Sequence, residues 1–174
     1  MAVVPLLSDF PPSIARNDYT GSVGMSFRVA RSIVVTHIGR PVKTATSLAA
    51  SHAMRLYEDG VLVASATIAD ASPRDNGWAY ESIGTPFTMV IVKDYIICTD
   101  ETNGGDQWQN ILTLTGVSSA DFDLTYFYSV YGAAGGLPGS PSTNGTAYVW
   151  NNLFETSGAF LPFHKRKQNS LIGR

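Results

Sequence analysis

Short segments of this chain alternate between apolar and polar residues. Between Val23 and Val29 every second residue is apolar, and the residues between them are small or polar. A second run, Ile33 to Ile38, is rich in β-branched side chains and is closed by Gly39-Arg40-Pro41. A period of two is typical of half-buried strands, because successive side chains of a strand point to opposite faces. The pattern therefore predicts two opening strands.

Two turn signals predict hairpins. Asp59-Gly60 separates the β-rich runs 52–57 and 61–68, and Asp-Gly supplies the positive φ angles that a tight hairpin turn requires. Lys93-Asp94 separates the apolar runs 87–92 and 95–99 in the same way. The near-continuous apolar character of that second unit favours strands that are covered on both faces.

The remaining runs complete an all-β pattern. Further strands are predicted at 78–82, 110–115, 124–130 and 146–154, and the Gly/Pro-rich stretch 132–145 is predicted as a loop that contacts a partner. No amphipathic segment long enough for the helices of a βαβ fold lies between the strands. The fold class predicted is an antiparallel, jelly-roll-like β-sandwich of about eight to ten strands.

Composition removes several classes of protein. The 174 residues are enough for one domain, and their formal charge of −2 argues against nucleic-acid binding driven by net charge. With 44% hydrophobic residues the chain is expected to fold. The single cysteine, Cys98, cannot form an intrachain disulfide and is expected to be buried and inert.

The two ends of the chain differ from the strand-rich middle. The first seventeen residues contain Pro5, Pro11 and Pro12, and residues 161–174 are basic and lack an apolar face. We therefore predict an N-terminal arm at 1–17, a sandwich domain at 18–160 and a basic tail at 161–174. The start lacks a basic region before its apolar residues, so no secretory signal is predicted. No apolar stretch reaches the length of a membrane span.

A family resemblance covers about half of the chain. The stretches that carry it are Thr20–Val29, Val35–Ile38, Met54–Thr67, Gly77-Trp78, Thr85–Phe87 and Lys93–Ile97. They resemble bacterial and phage β-sandwich modules of undefined function, which are similar to galactose-binding-like jelly rolls and often accompany extracellular domains that act on carbohydrates. The resemblance implies a jelly-roll sandwich and a carbohydrate-binding role.

Candidate catalytic and metal-binding residues are sparse. His37, His52 and His164 are the available imidazole bases, no Gly-x-Ser-x-Gly motif presents a serine, and the first two histidines are expected at the surface or at a strand edge. The loop residues Asp100, Glu101, Asn103 and Asp106 could hold calcium, with a solvated polar loop as the alternative. We predict no enzymatic activity, no cofactor and no metal.

The sequence leads to two hypotheses of different classes. The first is a non-enzymatic structural protein of a multi-chain assembly, in the virion of a virus or phage, as a capsid decoration, neck or tail protein. Its partners would be other protein subunits, identical and different, with no membrane and no nucleic acid. The predicted partner-binding residues are the apolar anchors Leu6, Leu7 and Phe10 and the basic residues Lys165, Arg166 and Lys167.

The alternative hypothesis is an extracellular or cell-surface carbohydrate-binding module. Trp108 is its candidate glycan-binding residue, because Gly104-Gly105-Asp106-Gln107 places this aromatic ring in or beside a polar loop. A stacking face exposed on such a loop would be open to surface glycans.

Overall fold

A computed structural model describes residues 3–7, 13–43, 45, 47–111, 122–139, 148 and 151–156. These residues form twelve strands and contain no helix, so no helix that could cross a membrane occurs among them. The strands are β1 (Val3–Pro5), β2 (Ser13–Arg16), β3 (Gly21–Val29), β4 (Ile33–Pro41), β5 (His52–Glu58), β6 (Val61–Ile68), β7 (Arg74–Asp75), β8 (Trp78–Met89), β9 (Tyr95–Glu101), β10 (Trp108–Ile111), β11 (Phe122–Gly132) and β12 (Asn152–Thr156).

The strands form an antiparallel β-sandwich, which confirms the predicted fold class. One five-stranded sheet has the order β1-β12-β4-β8-β7, the other has the order β11-β3-β9-β5-β6, and β10 and β2 form a separate ribbon. Every pairing is antiparallel. Side chains from both five-stranded sheets meet in one hydrophobic core, with Val35 and Trp78 from the first sheet and Phe27 and Leu56 from the second.

The β5–β6 hairpin is confirmed. Asp59 has a φ of 47° and Gly60 a φ of 83°, so both turn residues adopt the left-handed conformation that the Asp-Gly signal predicts. The register runs from Glu58 opposite Val61 to His52 opposite Ile68. The backbone angles that Asp59 and Gly60 favour thus account for the β5–β6 hairpin.

The predicted second hairpin is wrong. Residues 87–89 are the end of the long strand β8, which pairs with β4 and places Ile33 opposite Met89. Strand β9 belongs to the other sheet, where it pairs with β3 and β5. The chain leaves the core at Met89 and enters it again at Tyr95, on the other sheet. The apolar residues 90–92 between these two points are exposed, and the two apolar runs do not pair with each other.

The beginning of the chain is part of the sandwich in its described portion. Strand β1 pairs with β12, and the Leu6 backbone N–H donates to the Leu153 carbonyl at 2.9 Å. The buried amide of Asn152 then holds Leu7 on both sides, accepting from its N–H at 3.0 Å and donating to its carbonyl at 2.8 Å. The described part of segment 1–17 is therefore not a free arm.

Candidate functional site

A cavity of about 210 Å³ lies where the β2–β10 ribbon meets β3 and β11. Its lining is mostly aromatic, with one cationic and one aliphatic residue: Arg16, Tyr19, Val23, Trp108, Tyr131 and Tyr148. We call it the aromatic pocket. Concave sites with aromatic walls and few polar groups are the usual form of small-ligand sites in proteins.

Backbone pairing brings the two walls of the pocket together. Arg16 on β2 lies directly opposite Trp108 on β10 in the antiparallel register. The loop before Trp108 is bonded to the segment after Arg16, because the Gly104 N–H donates to the Asn17 carbonyl at 2.6 Å and the Asn103 N–H donates to the Thr20 hydroxyl at 2.9 Å. The pocket is thus built on paired backbone.

The rings of the pocket pack edge to face. The centroids of Tyr19 and Tyr131 are 6.2 Å apart at an interplanar angle of 83°, and those of Tyr131 and Tyr148 are 5.8 Å apart at 73°. The Arg16 guanidinium carbon lies 5.9 Å from the centroid of the Tyr148 ring. Edge-to-face contacts fix ring orientation, so the walls are set before any ligand arrives.

Most polar groups of the lining have partners, but one does not. The Tyr19 hydroxyl donates to the Gly132 carbonyl at 3.1 Å, and Arg16 donates from Nε and Nη2 to the two carboxylate oxygens of Asp18 at 2.8 and 2.9 Å. The indole Nε1 of Trp108 is buried and has no acceptor in the described part of the chain. An unpaired buried donor costs about 1–3 kcal/mol.

A buried ionic cluster anchors the loop that leads into Trp108. Arg40 and Glu101 are both fully buried and form a bidentate pair with two bonds of 2.9 Å. His52 lies between Glu101, at 3.2 Å, and Asp106, at 3.0 Å. Arg40 also donates to the Gln107 carbonyl at 3.3 Å, next to the pocket tryptophan. We call Arg40, His52, Glu101 and Asp106 the buried ionic cluster.

The charges of this cluster favour a protonated His52. Burial by itself lowers the pKa of His52, but the hydrogen bond and the charge of Glu101, together with the hydrogen bond to Asp106, outweigh burial and raise that pKa above its usual value. Burial raises the pKa of Glu101 as well, yet its bonds to His52 and Arg40 bring the pKa below the usual range. His52 is therefore a buried ionic residue, and the expectation of a surface or edge histidine is wrong for it.

The acidic residues that were candidates for calcium binding have partners within the protein. Asp100 pairs with Arg55 and accepts from the Ser22 hydroxyl at 2.6 Å, whereas Glu101 and Asp106 belong to the buried ionic cluster. Glu101 and Asp106 thus share His52, and all three carboxylates face cationic or N–H groups of the protein. No group of acidic, histidine or cysteine side chains that could hold a metal ion lies in the part of the chain described above.

The predicted site residues fall in different places. Leu6 and Leu7 are buried in the hydrophobic core of their own chain, so they are not free anchors for a partner. Trp108 is only 1% exposed, which corrects the expected exposed stacking face, although it does line the pocket. Phe10, the basic residues Lys165, Arg166 and Lys167, and His164 lie outside the described residues.

Cys98 is buried as predicted. Burial raises the pKa of its thiol to about 11, so the thiol stays protonated near neutral pH.

A second feature is a patch of exposed apolar side chains around the β5–β6 turn. Nine large hydrophobic residues are exposed in the described part of the chain, and five of them lie in two short stretches here: Val61, Leu62, Val90, Ile91 and Val92. We call these five residues the apolar end. Clustered exposed hydrophobic residues are typical of interaction surfaces, whereas single ones are not informative.

Ion pairs and backbone bonds hold the two stretches of the apolar end together. Lys93 pairs with Asp59, and the Asp59 N–H donates to the Asp94 carbonyl at 2.8 Å. Arg28 on β3 pairs with Asp94 at 2.6 Å. Val92, between these contacts, is 81% exposed and has a φ of 66°. A β-branched residue in the left-handed region is strained, and such strain is concentrated at functional surfaces.

Sequence reasoning did not single out most residues of the aromatic pocket and of the apolar end. Tyr19 lies more than a hundred positions before Tyr131 and Tyr148, and no local pattern connects the three. The apolar end did have a signal, since Val90, Ile91 and Val92 directly precede the polar pair Lys93-Asp94, but the run was assigned to a strand.

No protein-family model matches the chain, and no curated protein matches its sequence significantly.

Proposed function

We propose that this chain is a non-enzymatic structural protein of a multi-chain assembly, and that its apolar end is a contact surface for a neighbouring subunit. The assembly that the sequence favours is a virus or phage particle, with the chain as a capsid decoration, neck or tail protein. The observation that carries the proposal is the apolar end, where two stretches connected through Asp59 hold five of the nine large hydrophobic residues that are exposed in the described part of the chain.

The chemistry of this surface suits a protein partner better than a small molecule. Its side chains are aliphatic and do not line the aromatic pocket: Val61 and Leu62 begin β6, and residues 90–92 lie in the connection between β8 and β9. Aliphatic surface of this kind is stabilised mainly by burial against another apolar surface, at about 25 cal/mol per Å². The ion pair between Lys93 and Asp59 provides a polar border, as at protein interfaces with an apolar centre and a polar rim.

Self-association tests the proposal directly. Sedimentation velocity over a hundredfold range of concentration should show oligomers of the wild-type chain, and Val92→Asp should weaken association at least tenfold by placing a charge in the contact. The control Ile14→Asp changes an exposed residue outside the apolar end and should associate like the wild type. A chain that stays monomeric at all concentrations, or that loses association equally in both variants, contradicts the proposal.

Whether the assembly is a virus or phage particle needs a separate measurement. If the chain is a virion component, particles purified by density gradient from its source should contain it at a fixed number of copies per particle. Its absence from such particles would reject the virion form of the proposal while leaving self-association to be judged on its own.

A second candidate function is carbohydrate binding, favoured by the aromatic pocket. Aromatic rings offer stacking faces for the C–H surfaces of sugars, and four of the six residues that line the pocket are aromatic. Glycan-array screening of the wild-type chain and of Tyr131→Ala tests this candidate, because Tyr131 forms one wall of the pocket and is 47% exposed. Absence of glycan binding by the wild type would remove this candidate.

A further inference from the structure

Strand β6 is the last strand of its sheet, and its outer side has no partner strand among the described residues. The sheet order β11-β3-β9-β5-β6 ends at β6, which pairs there with β5. None of the residues Val61–Ile68 is charged, and none is proline or glycine. We call the outer side of this strand the β6 edge. The free backbone groups of such an edge can pair with another strand.

The other edges of the two five-stranded sheets are protected against such pairing. Strand β1 is three residues long and contains a proline, β7 has two residues that are both charged, and the part of β8 beyond β7 contains a glutamate and a proline. At the end of β11 the Gly139 N–H donates to the Tyr131 carbonyl at 2.9 Å, so the returning chain covers that edge. Short strands, charges, prolines and covering loops are the usual protection. The residues in β1, β7 and β8 are Pro5, Arg74, Asp75, Glu81 and Pro86.

The pairing of β5 with β9 determines which way the backbone groups of β5 point. The Asp59 N–H donates to the Asp94 carbonyl, in continuation of the β5–β9 register. Backbone groups alternate in direction along a strand, so those of every second residue before Asp59 are also directed to β9. Those of Leu56 and Met54 are therefore directed to β6.

The same alternation identifies the free backbone groups of β6. Ala64 lies opposite Leu56 and Ala66 lies opposite Met54, so these two alanines bond to β5. Ser65 and Thr67 then direct their N–H and C=O groups away from β5, and both residues are exposed. In the described part of the chain, neither has a hydrogen bond to a residue outside the β5–β6 pair.

The hydrophobic core is only partly covered beside the β6 edge. Five partly buried hydrophobic residues pack against the main core, and four of them lie on two strands: Val63 and Ala64 on β6, and Ile83 and Phe87 on β8. These strands belong to different sheets but lie next to each other. A partner that continues the sheet of β6 would cover this apolar surface.

We propose that the β6 edge pairs with the β6 edge of a second copy of this chain, antiparallel and across a two-fold axis. The inference rests on the proposed function in a multi-chain assembly, and it identifies the neighbouring subunit and the contact. A bulge interrupts β6 between Leu62 and Ala64, so its regular part starts at Ala64. The free groups of Ser65 and Thr67 are all used when Ser65 of one copy lies opposite Thr67 of the other.

The chemistry of β6 suits an identical strand. Two uncharged strands meet no like charges along the edge, and serine opposite threonine is a favourable cross-strand pair. The proposed register places the small side chain of Ala66 on the axis, where two strands approach most symmetrically. Both copies present the same partly covered core, so each covers the other, as in an isologous dimer.

The two ends of β6 are also compatible with antiparallel pairing. Asp59 and Lys93 form an ion pair at its start, and Asp70 and Arg74 form another just beyond its end, at 2.8 Å. The two-fold axis brings the start of one strand beside the end of the other, so each acid meets a base of the second copy. The edge is continuous with the apolar end, because Val61 and Leu62 belong to both.

The first test changes the charge of the edge at two exposed positions. The double variant Ser65→Lys/Thr67→Lys places lysine opposite lysine twice and should weaken dimerisation in sedimentation velocity at least about tenfold. The matched control Ser65→Lys/Thr67→Glu changes the same positions but places lysine opposite glutamate, and it should dimerise within about threefold of the wild type. Circular dichroism of both variants checks that the sandwich is folded.

The second test uses the wild-type chain and measures amide hydrogen exchange at low and high protein concentration. The amides of Ser65 and Thr67 should exchange at least about tenfold more slowly at high concentration, because they become hydrogen-bonded in the dimer. Those of Ala64 and Ala66 are bonded to β5 in the monomer and should change less. Protection of Ser65 and Thr67 that is independent of concentration would show that the chain covers its own edge, and it would overturn the proposal.

The outcomes separate this inference from the proposed function. A wild-type chain that is monomeric at all concentrations overturns both. Association that Val92→Asp weakens and the double-lysine variant does not would retain the apolar end as a contact and overturn pairing through β6. Association that the double-lysine variant weakens and Val92→Asp does not would support pairing through β6 and reject the apolar end. Equal weakening by the double-lysine variant and its lysine–glutamate control would overturn the proposed register.

Discussion

The aromatic pocket and the apolar end lie near opposite ends of strand β3 and are built in opposite ways. Val23, near the start of β3, lines the pocket, and Arg28, near the end of β3, pairs with Asp94 at the apolar end. The pocket is backed by a fully buried ion pair, whereas the apolar end is held by exposed ion pairs around a strained turn. The difference indicates a rigid cavity at one end and a more adaptable surface at the other.

The largest expected effect comes from breaking the buried ionic cluster. Arg40→Met leaves the Glu101 carboxylate buried without its bidentate partner, and loss of one member of a buried pair lowers the free energy of unfolding by about 3–5 kcal/mol. Lys93→Met removes an exposed pair at the apolar end and should lower the free energy of unfolding much less, because exposed pairs contribute little to stability. Urea unfolding followed by tryptophan fluorescence measures both variants.

A double variant checks the reason for that effect. Arg40→Met combined with Glu101→Leu removes both charges of the pair, so it should recover part of the stability lost in Arg40→Met alone. If the two single variants Arg40→Met and Lys93→Met lose similar amounts, the contrast between a buried and an exposed anchor is wrong.

The second effect compares two glycines, one in each region. A Cβ on Gly24, in β3 beside the pocket, would lie 2.0 Å from the Ile97 carbonyl oxygen, so Gly24→Ala must separate β3 from β9. We expect a loss of about 3 kcal/mol or more. Gly60→Ala meets only the Leu137 side chain at 3.6 Å, and its φ of +83° should cost about 1 kcal/mol.

Thermal unfolding of the two glycine variants measures this difference. The Gly24→Ala variant should have the lower melting temperature of the two. The reverse order would show that the pocket side of β3 adapts more easily than the turn at the apolar end.

The third effect is a pH dependence of the free energy of unfolding, and it depends on His52 in the buried ionic cluster. The pKa of His52 is raised in the folded chain from a reference value of 6.5. Its contribution to stability is therefore complete below that reference value and is lost as the pH rises through the folded pKa. The slope for one group cannot exceed about 1.4 kcal/mol per pH unit.

Unfolding by urea at a series of pH values from 6 to 9 tests this dependence. The difference in free energy between the wild type and His52→Gln should shrink as the pH rises, and this difference removes the contributions of the other histidines. A difference that is constant or grows with pH would contradict a protonated His52 in the cluster.

The smallest expected effect is an increase in stability, caused by a substitution at the apolar end. Val92→Gly relieves a β-branched residue at a φ of 66°, so it should raise the free energy of unfolding by about 1 kcal/mol. The same change removes an exposed side chain of the proposed contact surface and should weaken self-association in sedimentation velocity. A variant that is less stable than the wild type would show that the Val92 side chain contributes to folding of the monomer.

The sequence by itself determined the elements whose information is local. Alternation at period two specified β3, the β-branched run 33–38 specified β4, and Asp59-Gly60 specified the β5–β6 hairpin, because strand faces and turn angles depend on residues a few positions apart. Alternating strands without helical segments were also sufficient for the all-β class.

Tertiary structure decided which strands pair and which side chains meet. Met89 and Tyr95 are close in sequence yet belong to strands of different sheets, and Leu6 and Leu7 entered the core through the amide of a distant residue, Asn152. Trp108 is buried because Val23, Tyr19 and Tyr148, which are distant in sequence, pack around it. Burial and strand partners depend on the whole chain satisfying its apolar surface and backbone hydrogen bonds together, and no local pattern contains that information.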